Sequence, residues 1–339
     1  MPTDLRSLTS TLVDAFNTLT TSDAASHDVR PYEPADDYAN ELLFFVKPEV
    51  TMSGADTLRA VLDVTAGAFA DYDIVVTGAK ILDASFLDEH NLIARHYGVI
   101  NEIARNGADA ISDEAVDTFA DTYETSVDDA IVLGAFEFLD RHDGFTDVSL
   151  NVLWDNVAAD RLASGTYCAP VRVFDDTVYL LNGFHPYQIE HFTQEGASIL
   201  VLTVQTDTDW DALRGDMIGA TDPQEAPEGS IRRTLLERQD ELGLPPVDQG
   251  SNGVHLSAGP LEGLVETIRF VSDHDAGTTI DPADTAAGRA VLNAGISADD
   301  LAVLMGNPDL EVDDEYVSAF DLTEEINTDA AIQRLKAAL

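Results

Sequence analysis

The sequence is so rich in acidic residues that any compact fold must accommodate strong charge repulsion. Its 339 residues include 63 Asp and Glu against 18 Lys and Arg, which gives a formal net charge of −45 at pH 7. Because the Debye length falls to about 3 Å at molar salt, concentrated salt largely screens this repulsion. Hydrophobic residues make up 45% of the chain, enough for a full apolar core. We therefore predict a folded protein with a solvated, salt-adapted acidic surface.

The scarcity of lysine strengthens this interpretation. Only Lys47, Lys80 and Lys336 occur, beside fifteen arginines. Abundant Asp with little Lys resembles proteins of salt-in halophiles, so we interpret the acidic pairs as solvated surface and not as metal ligands. A protein that wraps DNA or binds anionic lipid needs a basic surface, whereas this chain repels phosphate backbones at long range. We expect neither nucleic acid nor a membrane surface as its partner.

The cysteine content and the apolar stretches bear on the cellular location. Cys168 is the only cysteine, which excludes an internal disulfide and a zinc site built from several cysteines. The first residues lack the apolar core of a signal peptide, and the longest apolar stretches are too short to cross a bilayer. The sequence thus predicts a soluble protein of the cytoplasm.

Hydrophobic patterning indicates alternating helices and strands in two parts of the chain. The first part is predicted to contain a helix over 5–19, a buried strand over 41–46, and then a helix over 57–69, a strand over 73–82 and a helix over 86–103. The second part is predicted to contain a strand over 198–204, a short helix over 210–217 and an amphipathic helix over 261–271. The segment between them mixes helical and short strand-like stretches.

Short motifs in the second half of the chain carry candidate chemistry. They are G-A-T-D-P at 219–223, G-S-I-R at 229–232 and N-G-V-H-L-S at 252–257, and Glu266 follows the histidine by eleven residues. Another motif, F-F-V-K-P at 44–48, ends the first predicted strand. Taken singly, each lysine, arginine or histidine in them is most simply interpreted as a strand-end, surface or structural residue.

In combination, these motifs resemble those of the nucleoside diphosphate kinase family. That family has a G-A-T-N-P loop, then G-T-I-R, then N-x-x-H-G-S and a helix that carries a glutamate. Its first strand leads to Lys-Pro, and a His-Tyr pair like that at 96–97 lies on the helix after its second strand. The resemblance covers residues 41–100 and 195–272.

The resemblance implies roles for nine residues. His255 would accept the phosphate, while Glu266 and Ser257 would support it. The expected nucleotide-binding residues are Lys47, Tyr97, Arg214, Thr221, Arg232 and Asn252. Among these, Asn252 would contact the sugar and Tyr97 would lie beside the site, and the others would hold the phosphates.

Phosphoryl transfer needs such residue types in any protein. Lys47, Arg214 and Arg232 would concentrate positive charge for a triphosphate, and arginine bonds phosphate oxygens in pairs. A neutral imidazole is a competent nucleophile at pH 7 if a partner such as Glu266 holds one ring nitrogen as donor, so that the other can attack. Mg²⁺ would be carried on the nucleotide phosphates with most of its waters, so no protein metal site is predicted.

The fold class expected from the resemblance is α/β (α+β), a ferredoxin-like sandwich in which helices back an antiparallel sheet. Five segments are predicted: an N-terminal extension (1–40), the first part of a nucleoside diphosphate kinase-like core (41–104), a large inserted segment (105–190), the second part of the core with the catalytic motif (191–272) and a helical C-terminal extension (273–339). Because the family forms homo-oligomers, self-association is a further expectation.

The predicted function is transfer of the γ-phosphate of a nucleoside triphosphate to a nucleoside diphosphate, through phospho-His255. Two departures from the family pattern keep alternatives open, since Leu256 replaces a glycine and Ala258 replaces an acid. One alternative is a catalytically weak nucleotide-binding or regulatory module on the same fold. Another is an assembly protein that uses the inserted segment and the C-terminal extension as interaction surfaces.

Overall fold

A computed structural model describes residues 3–22, 24–35, 37–313 and 315–339. The chain divides into two compact units. The first unit comprises Met1–Phe86 with Glu195–Leu339, and the second comprises Leu87–Gln194. The second unit therefore contains the whole predicted inserted segment, 105–190, and extends beyond it at both ends.

Helices and strands alternate irregularly along the chain, with short 3₁₀ turns between some of them. The first part forms α1 (Leu5–Leu19), β1 (Ser26–Arg30), β2 (Asn40–Val46), α2 (Pro48–Thr51), α3 (Ala55–Asp71), β3 (Val75–Asp83) and α4 (Ala84–Glu89). The middle forms α5 (Leu92–His96), α6 (Gly98–Asn106), α7 (Asp113–Tyr123), β4 (Ile131–Gly134), α8 (Ala135–Arg141), α9 (Asp147–Trp154), β5 (Asp160–Ala163), β6 (Thr166–Val173), β7 (Asp176–Leu181) and α10 (His185–Thr193). The last part forms β8 (Ser198–Thr206), α11 (Trp210–Ala212), a π-helical segment (Leu213–Ile218), α12 (Ile231–Glu237), α13 (Gln239–Leu242), β9 (Val254–Leu256), α14 (Pro260–Val271), α15 (Ala286–Asn293), α16 (Ala298–Leu304), β10 (Asp309–Val312), β11 (Glu315–Ser318), α17 (Ala319–Thr323) and α18 (Thr328–Ala338).

The main sheet of the first unit has the strand order β1-β3-β8-β2-β9, and all its neighbouring strands are antiparallel. Every residue of β2 is buried, as its continuous apolar run predicts. The strand stops where Pro48 begins α2 at its first position, where a missing N–H costs nothing. Strand β3 begins two residues later than predicted, after Asp73 adopts a left-handed φ of 51°.

The two faces of this sheet carry different neighbours, because side chains alternate along a strand. Leu42, Phe44 and Val46 of β2 belong to the largest core, which α1 and α3 share. Phe45 lies on the other face, where its ring is 5.7 Å from that of Phe270 on α14. Helix α14 therefore covers the face that lacks α3.

The C-terminal extension was predicted to be helical, and this is only partly right. Its described residues form the helices α15 to α18, but β10 and β11 form an antiparallel two-stranded sheet between α16 and α17. Its apolar residues share a second core with Leu261, Leu264 and Ile268 of α14. Helix α14 is thus covered on one side by the main sheet and on the other by the C-terminal extension.

The predicted helix over 86–103 is wrong, because the backbone breaks twice in this range. Asn91 takes a left-handed conformation between α4 and α5, with φ of 52°. Tyr97 takes φ of −95° and ψ of 42° between α5 and α6. An apolar periodicity of about 3.6 residues persists through such breaks, so the pattern alone did not reveal them.

The second unit has its own mixed sheet, in the order β4-β7-β6-β5. Strands β4 and β7 are parallel, and the other pairs are antiparallel. Two apolar clusters fill this unit, one around Phe138 and the other around Phe119 and Cys168. In the described ranges of both units, no helix is sufficiently long and apolar to cross a membrane.

Candidate active site

His255 lies at the centre of β9, directly opposite Phe45 on β2. The two rings stack, with centroids 4.4 Å apart and an interplanar angle of 19°. Val254 and Leu256 on either side point into the main core. Leu256, which stands where the family has a glycine, therefore has its side chain on the opposite face of the sheet from the imidazole.

Glu266 of α14 contacts His255 on the face of the sheet that α14 covers. Its Oε1 lies 2.9 Å from His255 Nε2, which is the hydrogen bond expected from the sequence. The Ser257 hydroxyl donates to Oε2 over 2.5 Å, and the Leu43 N–H donates to Ser257 Oγ over 2.9 Å. The carboxylate is fully buried, since α14 is covered on both sides.

This contact defines which nitrogen of His255 can react. A carboxylate whose other oxygen already accepts from Ser257 acts as an acceptor, so Nε2 carries the proton and Nδ1 keeps its lone pair. Burial lowers the pKa of His255, the nearby Lys47 and Arg214 lower it further, and Glu266 opposes the shift. The imidazole is therefore neutral at pH 7. The side chain of His255 is 17% exposed.

Lys47 brings a buried positive charge to the same place. It ends β2, and its side chain is only 9% exposed. Its ammonium group makes no hydrogen bond or ion pair within the described part of the chain. Burial lowers the pKa of Lys47 to about 8, with Arg232 adding to the shift and Glu49 opposing it. A buried cation without a direct partner is costly, and an anionic ligand would relieve that cost.

Arg232, at the start of α12, is buried and bonded to the backbone. Its Nη1 donates to the Gly219 carbonyl oxygen over 2.9 Å, and its Nη2 donates to that of Val254 over 3.2 Å. It therefore ties the loop after the π-helical segment to β9. Both contacts lie close to predicted site residues in the sequence, because Gly219 lies two residues before Thr221 and Val254 lies directly before His255.

Arg214 lies on the π-helical segment. The π-helix is rare in proteins as a whole, but where it occurs it is often at a functional site. Its Nη1 donates to the Leu256 carbonyl oxygen over 3.0 Å. Its Nε lies 3.7 Å from Oε1 of Glu325, in the C-terminal extension. Arg214 and Lys47 both act on the pKa of His255, so the three side chains share one electrostatic environment.

A hydrogen bond joins Asn252 to the backbone of Thr221. Thr221 is exposed, and its carbonyl oxygen accepts a hydrogen bond from Asn252 Nδ2 over 2.9 Å. Asn252 is fully buried, and Nδ2 also donates to Gln249 over 3.2 Å. Its Oδ1 is a buried acceptor that receives no hydrogen bond among the described residues. Such an acceptor suits a hydroxyl donor.

Tyr97 belongs to the second unit, unlike the other eight predicted site residues. It lies between α5 and α6, where its ring is 4.6 Å from that of His96 and 6.3 Å from that of His185. Its assignment to the nucleotide site remains a prediction.

Two acidic residues that accept backbone N–H groups on either side of β9 were not predicted from the sequence. Glu49 Oε1 accepts the Gly253 N–H over 2.7 Å. Glu262 lies one helical turn before Glu266, and its Oε2 accepts the Ala258 N–H over 3.1 Å. Burial and the charge of Glu266 raise the pKa of Glu262 to about 8. In a chain with 63 acids, no local pattern distinguishes these from the surface acids.

Comparison with known proteins adds no family to this description. No protein-family model matches the chain, and no curated protein matches it either. A functional proposal must therefore rest on the geometry around His255.

Proposed function

We propose that this chain is a nucleoside diphosphate kinase-like phosphotransferase that works through phospho-His255. One observation carries the proposal: the buried Lys47 ammonium, which lacks a direct partner among the described residues, shares its surroundings with an imidazole whose Nε2 is held by a buried carboxylate. A polyphosphate would supply the missing anion, and the neutral Nδ1 would supply the nucleophile.

In the first half-reaction, Nδ1 of His255 attacks the γ-phosphorus of a nucleoside triphosphate. The Nδ1–P bond forms as the bond between phosphorus and the bridging oxygen breaks, and the nucleoside diphosphate leaves with that electron pair. The ring becomes positively charged, and Glu266 stabilises that charge through Nε2–H. In the second half-reaction, a terminal oxygen of another diphosphate attacks phosphorus as the Nδ1–P bond breaks, and the electron pair returns to Nδ1, which leaves His255 neutral.

The basic residues would bind and orient the phosphates. Lys47 would act as a buried point charge, whereas Arg214 would offer planar N–H groups to two oxygens. Arg232 would add its buried positive charge to the phosphate site and would also stabilise the loop that carries Thr221. Mg²⁺ bound to the nucleotide phosphates would neutralise part of their charge. The open acceptor Oδ1 of Asn252 would receive a sugar hydroxyl.

The fold expected from the resemblance, a ferredoxin-like sandwich, is part of this proposal. The order β3-β8-β2-β9 supports it, because two strand–helix–strand connections would place β2 and β8 at the centre. The apolar residues of α3, α12 and α13 join one core on one face of that sheet, as such a sandwich requires. Cytoplasmic location and homo-oligomer formation remain expectations from the sequence.

A second candidate is a nucleotide-binding module that transfers phosphate weakly. The contacts of Arg232 favour it, because two of its N–H groups are already engaged by the carbonyl oxygens of Gly219 and Val254. Such a module would bind nucleotides without forming a phosphoenzyme.

Radioactive labelling tests the proposal. Protein in multimolar KCl with Mg²⁺ is incubated with ATP labelled at the γ-phosphate. We expect acid-labile label on His255 that is lost when a nucleoside diphosphate is added. His255→Ala should take up no label and should bind ATP within a few fold of the wild type. The control, His27→Ala, removes an imidazole from β1 at the opposite edge of the sheet and should label normally.

Equal labelling of the wild type and His255→Ala would overturn the mechanism. ATP binding without any label would favour the weak module instead.

A further inference from the structure

A turn of the C-terminal extension contacts the loop that follows β9. This acidic turn, Glu324–Glu325, lies between α17 and α18. The Glu325 N–H donates to the carbonyl oxygen of Ala258 over 2.9 Å. Ala258 follows Ser257 directly, so the acidic turn is attached three residues beyond His255.

The backbone of both segments is adapted to this contact. Glu325 has φ of 55°, in the left-handed region where a side chain other than glycine is unfavourable. On the other side, a Cβ added to Gly259 would lie 2.5 Å from the Thr323 carbonyl oxygen and 3.0 Å from Glu324 Cα. Only glycine therefore permits so close an approach at position 259.

The side chain of Glu325 supplies an anion to Arg214. Its Oε1 lies 3.7 Å from Arg214 Nε, with the glutamate 53% exposed and the arginine 17% exposed. This distance exceeds that of a hydrogen bond, so the contact is a loose ion pair and not a rigid support. A phosphate that bonds two N–H groups of Arg214 would be the stronger partner.

We propose that Glu325 occupies the anion position of Arg214 in cis and competes there with a nucleotide phosphate. This inference rests on the proposed function, because it takes Arg214 as a phosphate-binding residue. Displacing the glutamate from Arg214 frees the guanidinium for the ligand, and the C-terminal extension thereby regulates the affinity of the site. The contacts of Glu325 are with Arg214 and Ala258, so it acts on binding and not on the chemical step.

Isothermal titration at constant KCl concentration tests the competition, with inorganic tripolyphosphate and with ATP as probes. Exposed ion pairs contribute little, so we expect Glu325→Gln to bind both probes about two- to five-fold more tightly than the wild type. The rate of phosphorylation at saturating ATP should not change. The matched control is Glu311→Gln, which removes the same charge from exposed β10 of the same extension and should not alter binding.

A double-mutant cycle assigns the effect to the ion pair. In an Arg214→Gln background, Glu325→Gln should have no further effect on either probe. Equal affinities of the wild type and Glu325→Gln overturn the inference. Weaker binding by Glu325→Gln overturns it too, because the glutamate would then position Arg214. A melting curve for each variant confirms that the fold is retained.

The two proposals fail in different ways. If no phosphoenzyme forms but Glu325→Gln still tightens binding in an Arg214-dependent manner, the proposed function fails and the competition stands. If the phosphoenzyme forms with equal affinities, only the competition fails. No binding of either probe to either protein counts against both.

Discussion

Replacing Glu266 by Gln removes one negative charge beside His255 and leaves the shape of the side chain nearly unchanged. The surrounding hydrogen bonds can adjust to the amide. Ser257 can donate to the Leu43 carbonyl oxygen, 3.2 Å away, and accept an N–H from the new amide. The amide oxygen can still accept from His255 Nε2, so the tautomer survives in that arrangement. The loss that remains is the charge.

The size of the effect follows from the kind of hydrogen bond that is lost. A bond to a charged group contributes about 1.5–3 kcal/mol, and one between neutral groups contributes about 0.5–1.5 kcal/mol. The imidazole gains its positive charge only as the Nδ1–P bond forms, so the difference acts on the transition state. A difference of about 1–2 kcal/mol slows phosphorylation of His255 roughly five- to thirty-fold. The affinity for ATP should stay within about two-fold, because the neutral ring gains little from the charge in the ground state.

Rapid-quench measurement of a single turnover with labelled ATP separates these quantities. The matched control is Glu262→Gln, one helical turn earlier on the same face of α14. The carboxyl of Glu262 accepts from the Ala258 N–H, and burial together with the charge of Glu266 raises its pKa and favours its neutral form. This variant changes the charge little and should phosphorylate at nearly the wild-type rate. Wild-type kinetics in Glu266→Gln, or equal slowing in both variants, would refute the role of Glu266.

Two further predictions concern the basic residues. Arg232→Ala should weaken ATP binding and slow phosphorylation by about ten- to 150-fold in total, since a charge-assisted contact contributes about 1.5–3 kcal/mol. It should also lower the melting temperature, because the bonds to Gly219 and Val254 are lost. Unchanged kinetics would place this arginine outside the site. Lys47 loses its proton as the pH rises through about 8, so triphosphate binding should weaken above pH 8. Because the anionic ligand raises the pKa of Lys47, binding at pH 8 should also be accompanied by proton uptake. Titration in buffers of different ionisation enthalpy measures this uptake, and zero uptake contradicts the assignment of Lys47 to the phosphates.

Local hydrophobic pattern and the order of the motifs predicted two features of the site, the strand that ends at Lys47 and the contact between His255 and Glu266. The apolar run of β2 predicted that strand almost to the residue, and its end placed Lys47. The resemblance to the nucleoside diphosphate kinase motifs, in which a helix after the histidine carries a glutamate, predicted the contact between Glu266 and His255. Strand alternation could also have placed Leu256 away from the histidine, because neighbouring residues in β9 face opposite sides.

Other features depend on contacts between distant segments, which periodicity does not encode. The amphipathic face of α14 predicted one buried side, but the C-terminal extension buries another, and Glu266 becomes fully enclosed. Glu262 and Glu325 are chemically indistinguishable from the surface acids until the fold brings them near Arg214. The breaks at Asn91 and Tyr97 arise from two backbone conformations that no apolar pattern reports.

The high negative charge of the chain constrains how such a site can bind a polyphosphate. In dilute salt the net charge repels phosphates at long range, but at molar salt it has little effect beyond the Debye length of about 3 Å, so the ligand is then neither repelled nor guided from afar. Binding must then come from short contacts with charges that water and salt do not reach. Lys47 and Arg232 are at most 9% exposed, and both are adjacent in space to β9. Burial lowers the pKa of Lys47, but it also shields that charge from dissolved salt. A surface cluster of lysines would lose its attraction at molar salt, so a chain with three lysines would bind polyphosphate there best with one of them buried at the proposed site.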